Sequence, residues 1–390
     1  VSALTLSGTL DQQWQPAFTL IAALLRGDRA AARHYAETVD STDLSAMLVR
    51  HGVALALPAA SALSDTLPEP LTTALSERQK RAAMAVLKRA LTISMVAKAF
   101  NSARIPFLVI KGIAFATLFD KFSNREGADI DLLVHPQDRD RALTCLQGLD
   151  YRLSDVTPAG LDAHFATDHA VSLHRSGPWP MIELHLRFGY DDRQFPIALF
   201  DPWSHVTQVR IGNTDVPTLD KVQAVVYAAV HGTRHHWNRL MWLVDIVWAL
   251  EDPDLDWQAV LTFARRLSVE RQVMLAVSLA EGLLAAKVPA AVRAEDRQRQ
   301  RVRPLAATLA PVLDDLPGGR WDLALYIGLG PYIRWLFVLH ETGRAKFGLL
   351  LFLLATTQED RDFLPLPPWL GWAYPVVRGL RILRRRLPRK

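Results

Sequence analysis

One cysteine, Cys145, stands in 390 residues, which excludes an intramolecular disulfide and any zinc site built from several thiolates. Set among Ala142, Leu143 and Leu146, it reads as a core residue. Long hydrophobic runs are also missing. The longest, Phe347 to Ala355, has nine residues and is far short of a membrane span. No secretory pattern is visible near the start, where Asp11-Gln-Gln breaks up the apolar residues. These absences lead to the expectation of a soluble, cytoplasmic protein. Broad positive charge is lacking as well, although the net charge is +5. Residues Arg378 to Lys390 hold six Arg and one Lys with no acid, so the rest of the chain carries 5 − 7 = −2. A near-neutral body argues against general nucleic-acid binding, which needs a basic face on the fold itself.

With 50% hydrophobic and 22% charged residues, the chain has material for more than one core. Residues 1–103 read as an N-terminal helical region. Ser41-Thr-Asp43 looks like a cap before Leu44 to Val53, and a long helix from Pro70 carries Met84, Leu87, Leu91 and Met95 on one face. Ile105-Pro106 then introduces a strand. Residues 104–218 change character and read as an α/β core. Its strands are Phe107-Leu-Val-Ile, Asp129 to Val134, and a hairpin of His169 to His174 with Met181 to Arg187 around Ser176-Gly-Pro-Trp-Pro180; Pro136 to Gly148 reads as a helix and Arg210 to Val216 as a further strand pair or turn. Residues 219–316 form a helical domain closing a cleft, with helices at Lys221 to Thr233, Trp237 to Leu250, Trp257 to Leu267 and Glu270 to Ala286. A polar, proline-marked stretch from Asp296 to Pro311 and Pro317-Gly-Gly319 separates a last helical segment, 317–390, which ends in the basic tail. The fold class expected is α+β, mostly helical, with a small mixed sheet.

The chemistry concentrates in the first third. A strand runs into Lys111-Gly112, which opens a helix, and a second strand presents Asp129 and Asp131. Residues i and i+2 of a strand share a face, so these carboxylates can grip the same ion or ion pair while Ile130 and Leu132 face a core. Met181 to Arg187 puts Glu183 and His185 on one face in the same way. If it neighbours the first carboxylate strand, Glu183 becomes a third acid. Paired carboxylates beside a phosphate-sized turn are what metal-dependent phosphoryl or nucleotidyl transfer requires. Asp129, Asp131 and Glu183 are then metal ligands for two Mg²⁺ ions, with Glu183 also helping to deprotonate the acceptor. Lys111, Gly112 and Arg125 would meet the triphosphate and pyrophosphate. An Asp-x-Asp pair, a Lys-Gly turn or a wet strand edge is ordinary taken singly. The order of the motifs is what singles them out.

Further on, His231 and His235 lie at i and i+4 with His236, Trp237 and Asp245 after them. They read as a zinc pair lacking a third ligand, as interhelix hydrogen bonds, or as a wall over a nucleotide. In the last reading Arg234, His235 and Arg239 meet phosphate or base and Trp237 or Trp242 stacks or packs. Trp242, Leu243 and Ile246 are expected to face the core, and Asp245 to orient a histidine.

These motifs resemble the bacterial "uncharacterised nucleotidyltransferase" family, a branch of the DNA polymerase β-like nucleotidyltransferase superfamily. The residues that carry the likeness are Leu108-Val-Ile-Lys-Gly112, Arg125, Gly127-Ala-Asp-Ile-Asp-Leu-Leu-Val134, Ile182-Glu-Leu-His185 and the block His231 to Ile246. The resemblance implies a superfamily α/β core with helical flanks, Mg²⁺ and an NTP donor. It also implies nucleotide contacts by His185, Arg234, His235 and Arg239. Two features depart from the superfamily pattern. Lys111-Gly112-Ile113 replaces the usual Gly-Ser turn, as in minimal nucleotidyltransferases of toxin–antitoxin systems, and sixteen residues separate Gly112 from Asp129. The family's association with peptide-modifying and envelope-polymer genes points to a peptide, sugar or lipid-linked acceptor. A non-catalytic adaptor and a phosphoryl or sugar-phosphate transferase are the rival readings. Pro367-Pro-Trp-Leu-Gly-Trp-Ala-Tyr374 with the Arg378 to Lys390 tail suits an anionic membrane surface or an acidic partner, or else a solvated terminal helix.

Overall fold

The computed structural model describes residues 14–154, 156–188, 200–314, 327–354 and 358–386. Three short helices open them: α1 (Pro16–Arg26), α2 (Arg29–Ala36) and α3 (Ser41–His51). The cap of α3 is Asp40, whose carboxylate accepts from the amides of Thr42 and Asp43, so the helix takes in the Ser41-Thr-Asp43 expected to precede it. Next comes the long α4 (Glu69–Ser102), released at Arg104 with positive φ before Pro106. Its Met84, Leu87 and Leu91 form a stripe as expected, but that stripe faces water, 55%, 59% and 52% exposed. The buried face is carried by Val86, Ala90, Ile93, Ala97 and Phe100. These residues share a core with the sheet's Phe107, Val109 and Ile130.

The α/β part contains β1 (Phe107–Val109), α5 (Ile113–Leu118), β2 (Asp129–Val134), α6 (Arg139–Gly148), β3 (Arg152–Leu153), α7 (Leu161–Thr167), β4 (Ala170–His174) and β5 (Met181–His185). The sheet order is β1-β2-β5-β4-β3. β2 and β5 pair in parallel and the other neighbours are antiparallel, so the sheet is mixed. A hairpin of β6 (Val206–Ile211) and β7 (Thr214–Leu219) forms a second sheet, tied to β1 by the Thr218 hydroxyl donating to the Val109 carbonyl at 2.6 Å.

Helices then continue: α8 (Lys221–Arg234), α9 (Leu240–Glu251), α10 (Trp257–Arg266), α11 (Glu270–Leu284), α12 (Ala290–Arg293) and α13 (Asp296–Asp314). The stretch expected to separate two helical groups is therefore itself helical from Asp296 to Asp314. Val302, Leu305, Leu309 and Val312 bury one stripe of it against the core, which outweighs its Arg-rich remainder and Pro304. Pro317-Gly-Gly319 lies outside the described residues. The last elements are α14 (Leu329–Leu339), α15 (Gly343–Leu354), α16 (Gln358–Phe363) and α17 (Tyr374–Arg386). No helix among the described residues is long and apolar enough to cross a membrane.

Period-two alternation splits the sheet between two cores. Phe107, Val109, Ile130, Leu132, Ile182 and Leu184 join α4 and α6 on one side. Leu108, Ile110 and Leu133 face the other side, where α1–α3 and α8–α13 share a single core. Asp129 and Asp131 have the parity of Leu133, so they point toward the helices. Cys145 is half-buried at the margin of the first core, beside α6's Ala142 and Leu146.

Candidate active site

Between the carboxylate face of the sheet and helices α8 and α9 lies a cleft of about 710 Å³. Its floor follows from strand register. In the parallel pair, Asp131 lies opposite Glu183, which meets the condition under which Glu183 joins the first carboxylates. Lys111 leaves β1 at a turn where Gly112 has φ 63°, a conformation that favours glycine, and α5 begins immediately after. The turn delivers the Lys111 ammonium to Asp131 at 2.9 Å and to Glu183 at 3.9 Å. His185 sits on the same two carboxylates, its Nε2 3.0 Å from Asp131 and 3.3 Å from Glu183. Asp131 and His185 are buried.

The charges hold one another. Burial alone would lower the Lys111 ammonium, but Asp131 leads a set of neighbours that keeps it above its ordinary value. The hydrogen bond from His185, against burial, with Lys111 adding to it, holds the Glu183 carboxyl down to about 2. Burial pulls His185 down while Asp131 and Glu183 pull it up, and the carboxylates win.

Among the described residues, the His and carboxylate ligands that converge are Asp131, Glu183 and His185, their ligand atoms within 4.8 Å of one another. Two carboxylates and an imidazole suit a divalent cation. Asp129 lines the same cleft two residues earlier but is not in that set.

Asp129 is positioned by the loop before it, and there the cleft differs from expectation. Arg125 grips Asp245 of α9 with two parallel bonds, Nε to Oδ1 at 2.9 Å and the NH2 nitrogen to Oδ2 at 3.0 Å. Both residues are buried. Asp245, expected to orient a histidine, is thus the partner of Arg125, and the guanidinium expected at the pyrophosphate is bound to it. Burial pushes the Asp245 carboxyl up to about 6 while Arg125 opposes the rise. The buried Arg89 of α4 donates to the Arg125 carbonyl at 2.7 Å and passes so close to Gly127 that a Cβ there would meet its guanidinium at 2.2 Å. Arg78 of α4 pairs with Glu126, which also accepts from the Leu55 amide at 3.2 Å. Arg78, Arg89 and Glu126 did not emerge from the sequence. Arg89 carried a signal, a cation amid Val86, Ala90 and Ile93.

The opposite wall is aromatic. His231 and His235 stand with ring centroids 4.6 Å apart, and Trp242 meets them at 5.2 and 5.5 Å. Trp242 is half-buried, packed against the core as expected and also lining the cleft, while Leu243 and Ile246 are buried as expected. The helix breaks after Arg234, where His236 and Trp237 take positive φ, so Trp237 is not in α9 and packs fully buried beside Thr233. Both cleft histidines are kept neutral. Burial, then Lys111, lowers His231 well below its ordinary value, and burial, then Arg234, lowers His235 to about 3. The histidine pair does not belong to the converging ligand set. Arg234 and Arg239 line the cleft, Arg234 within 3.3 Å of His169. The Nδ1 of His169 lies 2.8 Å from Asp168 and its ring is 5.2 Å from that of His185. Tyr227 lines the same wall, its hydroxyl pushed up to about 12 by burial.

A Lys-Gly turn, a strand-borne pair of carboxylates and a His-rich helix follow one another within residues 37–285, the stretch matched by a family model that covers more than half of the chain. This chain belongs to the uncharacterised nucleotidyltransferase family. The match begins before α3 and ends just past α11, so the family's unit includes the helical walls as well as the sheet. Among solved structures, an antigenic nucleotidyltransferase-like protein from Paracoccidioides brasiliensis is similar at 18% identity and a TM-score of 0.32, covering 54% of this chain and 96% of that one. No curated protein matches.

Proposed function

We propose that this member of the nucleotidyltransferase family moves a nucleotidyl group from an NTP to a hydroxyl or phosphate of an acceptor. The observation that supports it best is the Asp131–Glu183 register, with Lys111 and His185 on the two carboxylates and a neutral aromatic wall opposite. Asp131 and Glu183, with Asp129 beside them on the strand face, would hold Mg²⁺. That ion supplies charge neutralisation on the triphosphate and polarisation of the reacting phosphorus. Lys111, Arg234 and Arg239 are the cations of this chain that meet phosphate. His231, His235 and Trp242 take the base, because uncharged rings stack without the cost of desolvating a charge. The acceptor oxygen bonds to the α-phosphorus as the bond to pyrophosphate breaks. Glu183, held at about 2, is a poor proton acceptor, so its part is that of a ligand and the acceptor proton leaves to phosphate or solvent. The acceptor is of the peptide, sugar or lipid-linked kind that the family's setting suggests, and the site of action is the cytoplasm.

A second reading, an adaptor that binds without chemistry, draws on one observation. Lys111 at 2.9 Å already pairs with Asp131, so part of the floor's negative charge is met without an ion. Thermal melting with each NTP, with and without Mg²⁺, separates the two. A melting-point rise that needs both, is selective for one nucleotide and vanishes in Asp129→Ala and Asp131→Asn supports transfer. A rise that ignores Mg²⁺ and survives both substitutions supports the adaptor. Product mass then distinguishes nucleotidyl from phosphoryl or sugar-phosphate addition.

A further inference from the structure

The C-terminal helix α17 leaves apolar side chains in water while two of its arginines turn inward. Arg378 Nε lies 3.2 Å and Arg381 Nε 2.9 Å from the carboxylate of Asp360, which is wholly buried. Tyr374 and Val377 are buried, but other apolar residues turn outward. Val376 and Leu380, one turn apart, are 64% and 51% exposed, and the ridge continues back to Trp372 and Trp369, which are 76% and 74% exposed. On α15, packed beside α17, Phe347, Leu350 and Leu351 are exposed too. An amphipathic helix at a protein surface normally buries the apolar stripe and leaves its arginines in water. Here Asp360 holds Arg378 and Arg381 inward while Val376 and Leu380 stay in water. A buried carboxylate keeps its charge only with its cations in place, so the pairing holds the ridge outward. Exposed apolar surface arranged in one continuous ridge marks an interaction face.

We propose that this face docks on an anionic lipid bilayer, with α17 lying in the interface plane. Charge selects the occupant. From Gly343 to Lys390 there are ten Lys and Arg against three Asp and Glu, so a second copy of the chain would set like charge against like. An anionic surface complements it. Tryptophans at the ridge and arginines along and beyond it are the composition of segments that lie in the headgroup region. The docking goes beyond nucleotidyl transfer and does not depend on it.

Flotation of the full chain with phosphatidylcholine vesicles, with or without phosphatidylglycerol, is the test. Binding to the anionic vesicles is expected to exceed binding to neutral ones by about tenfold or more and to weaken with salt. The double variant Val376→Asp/Leu380→Asp should lose that binding while keeping the wild-type melting point, which shows that the fold survives. Equal flotation with both lipids, or flotation unchanged in the double variant, overturns the proposal. So does a solution dimer that the double variant dissociates, since a second copy then covers the ridge. Binding to polyglutamate without flotation overturns it in favour of an acidic protein partner.

Discussion

The two walls of the cleft solve opposite electrostatic problems. The sheet wall keeps charge: Asp131 and Glu183 hold Lys111 and His185 toward their ionised forms, and His185 and Lys111 do the same for Glu183. The helix wall removes charge: burial and nearby cations keep His231 and His235 neutral, so α8 offers rings in place of imidazolium. A single cation thus has different meanings at short range. Lys111 supports Glu183's charge and suppresses that of the histidines. A substrate that carries phosphates at one end and a flat ring at the other fits between such walls.

What joins the walls is the Arg125–Asp245 pair, from the loop before β2 to α9. Cutting it is the most disruptive way to break the contrast. Asp245→Ala leaves the Arg125 guanidinium buried without its carboxylate, a change expected to cost about 3–5 kcal/mol. Urea unfolding measures that loss. Asp360→Ala in the C-terminal segment is the control, because Arg378 and Arg381 lie nearer the surface and can turn to water, so its cost should be smaller. Equal losses for the two would show that burial of the arginine is not what sets the difference.

The walls should also fail at different pH. His235 has a folded value of about 3 against an ordinary 6.5, so the unfolded chain takes up protons first. Its contribution to stability is present above pH 6.5 and is lost as pH falls below that value. Glu183 has a folded value of about 2 against an ordinary 4.5, so its contribution is present above pH 4.5 and is lost as pH falls from there toward 2. His235→Asn is expected to flatten the stability profile between pH 6 and 4.5, by about 1–2 kcal/mol given its partial exposure. Glu183→Gln should leave that window alone and flatten the profile only below it. Denaturant midpoints across the acid range check both, and a Glu183→Gln effect between pH 6 and 4.5 would mean that the walls titrate as one unit.

Much of this was legible in the sequence because it depends on local periodicity. The strand parity of Asp129, Asp131 and Glu183 and the helix after Lys111-Gly112 are fixed by spacings of a few residues, and the parallel register that sets Asp131 opposite Glu183 fulfilled the remaining condition. The failures share a different cause. Arg125 and Asp245 are 120 residues apart, and nothing near either one identifies its partner. The stripe of Met84, Leu87 and Leu91 was as periodic as a core face, but periodicity does not say which of two apolar faces the sheet will cover. Trp242 packs against the core as expected, but that it also borders the cleft depends on how α9 lies against the sheet, which no local spacing states.

The place of Trp242 on the cleft leads to an effect confined to ligand affinity. If Trp242 belongs to the base-binding wall, Trp242→Ala removes a stacking surface worth about 1–3 kcal/mol, so nucleotide affinity falls by about tenfold or somewhat more. The Mg²⁺ requirement should stay unchanged, since the carboxylates are on the other wall. Trp242→Phe keeps a ring at the same place and should recover most of the affinity. Calorimetric titration of the nucleotide that raises the melting point, with both variants, decides it. An affinity untouched by Trp242→Ala would give the aromatic wall to the acceptor and leave the donor to the sheet side alone, whereas a loss that Phe does not rescue would mean that Trp242 acts by holding His231 and His235 in place.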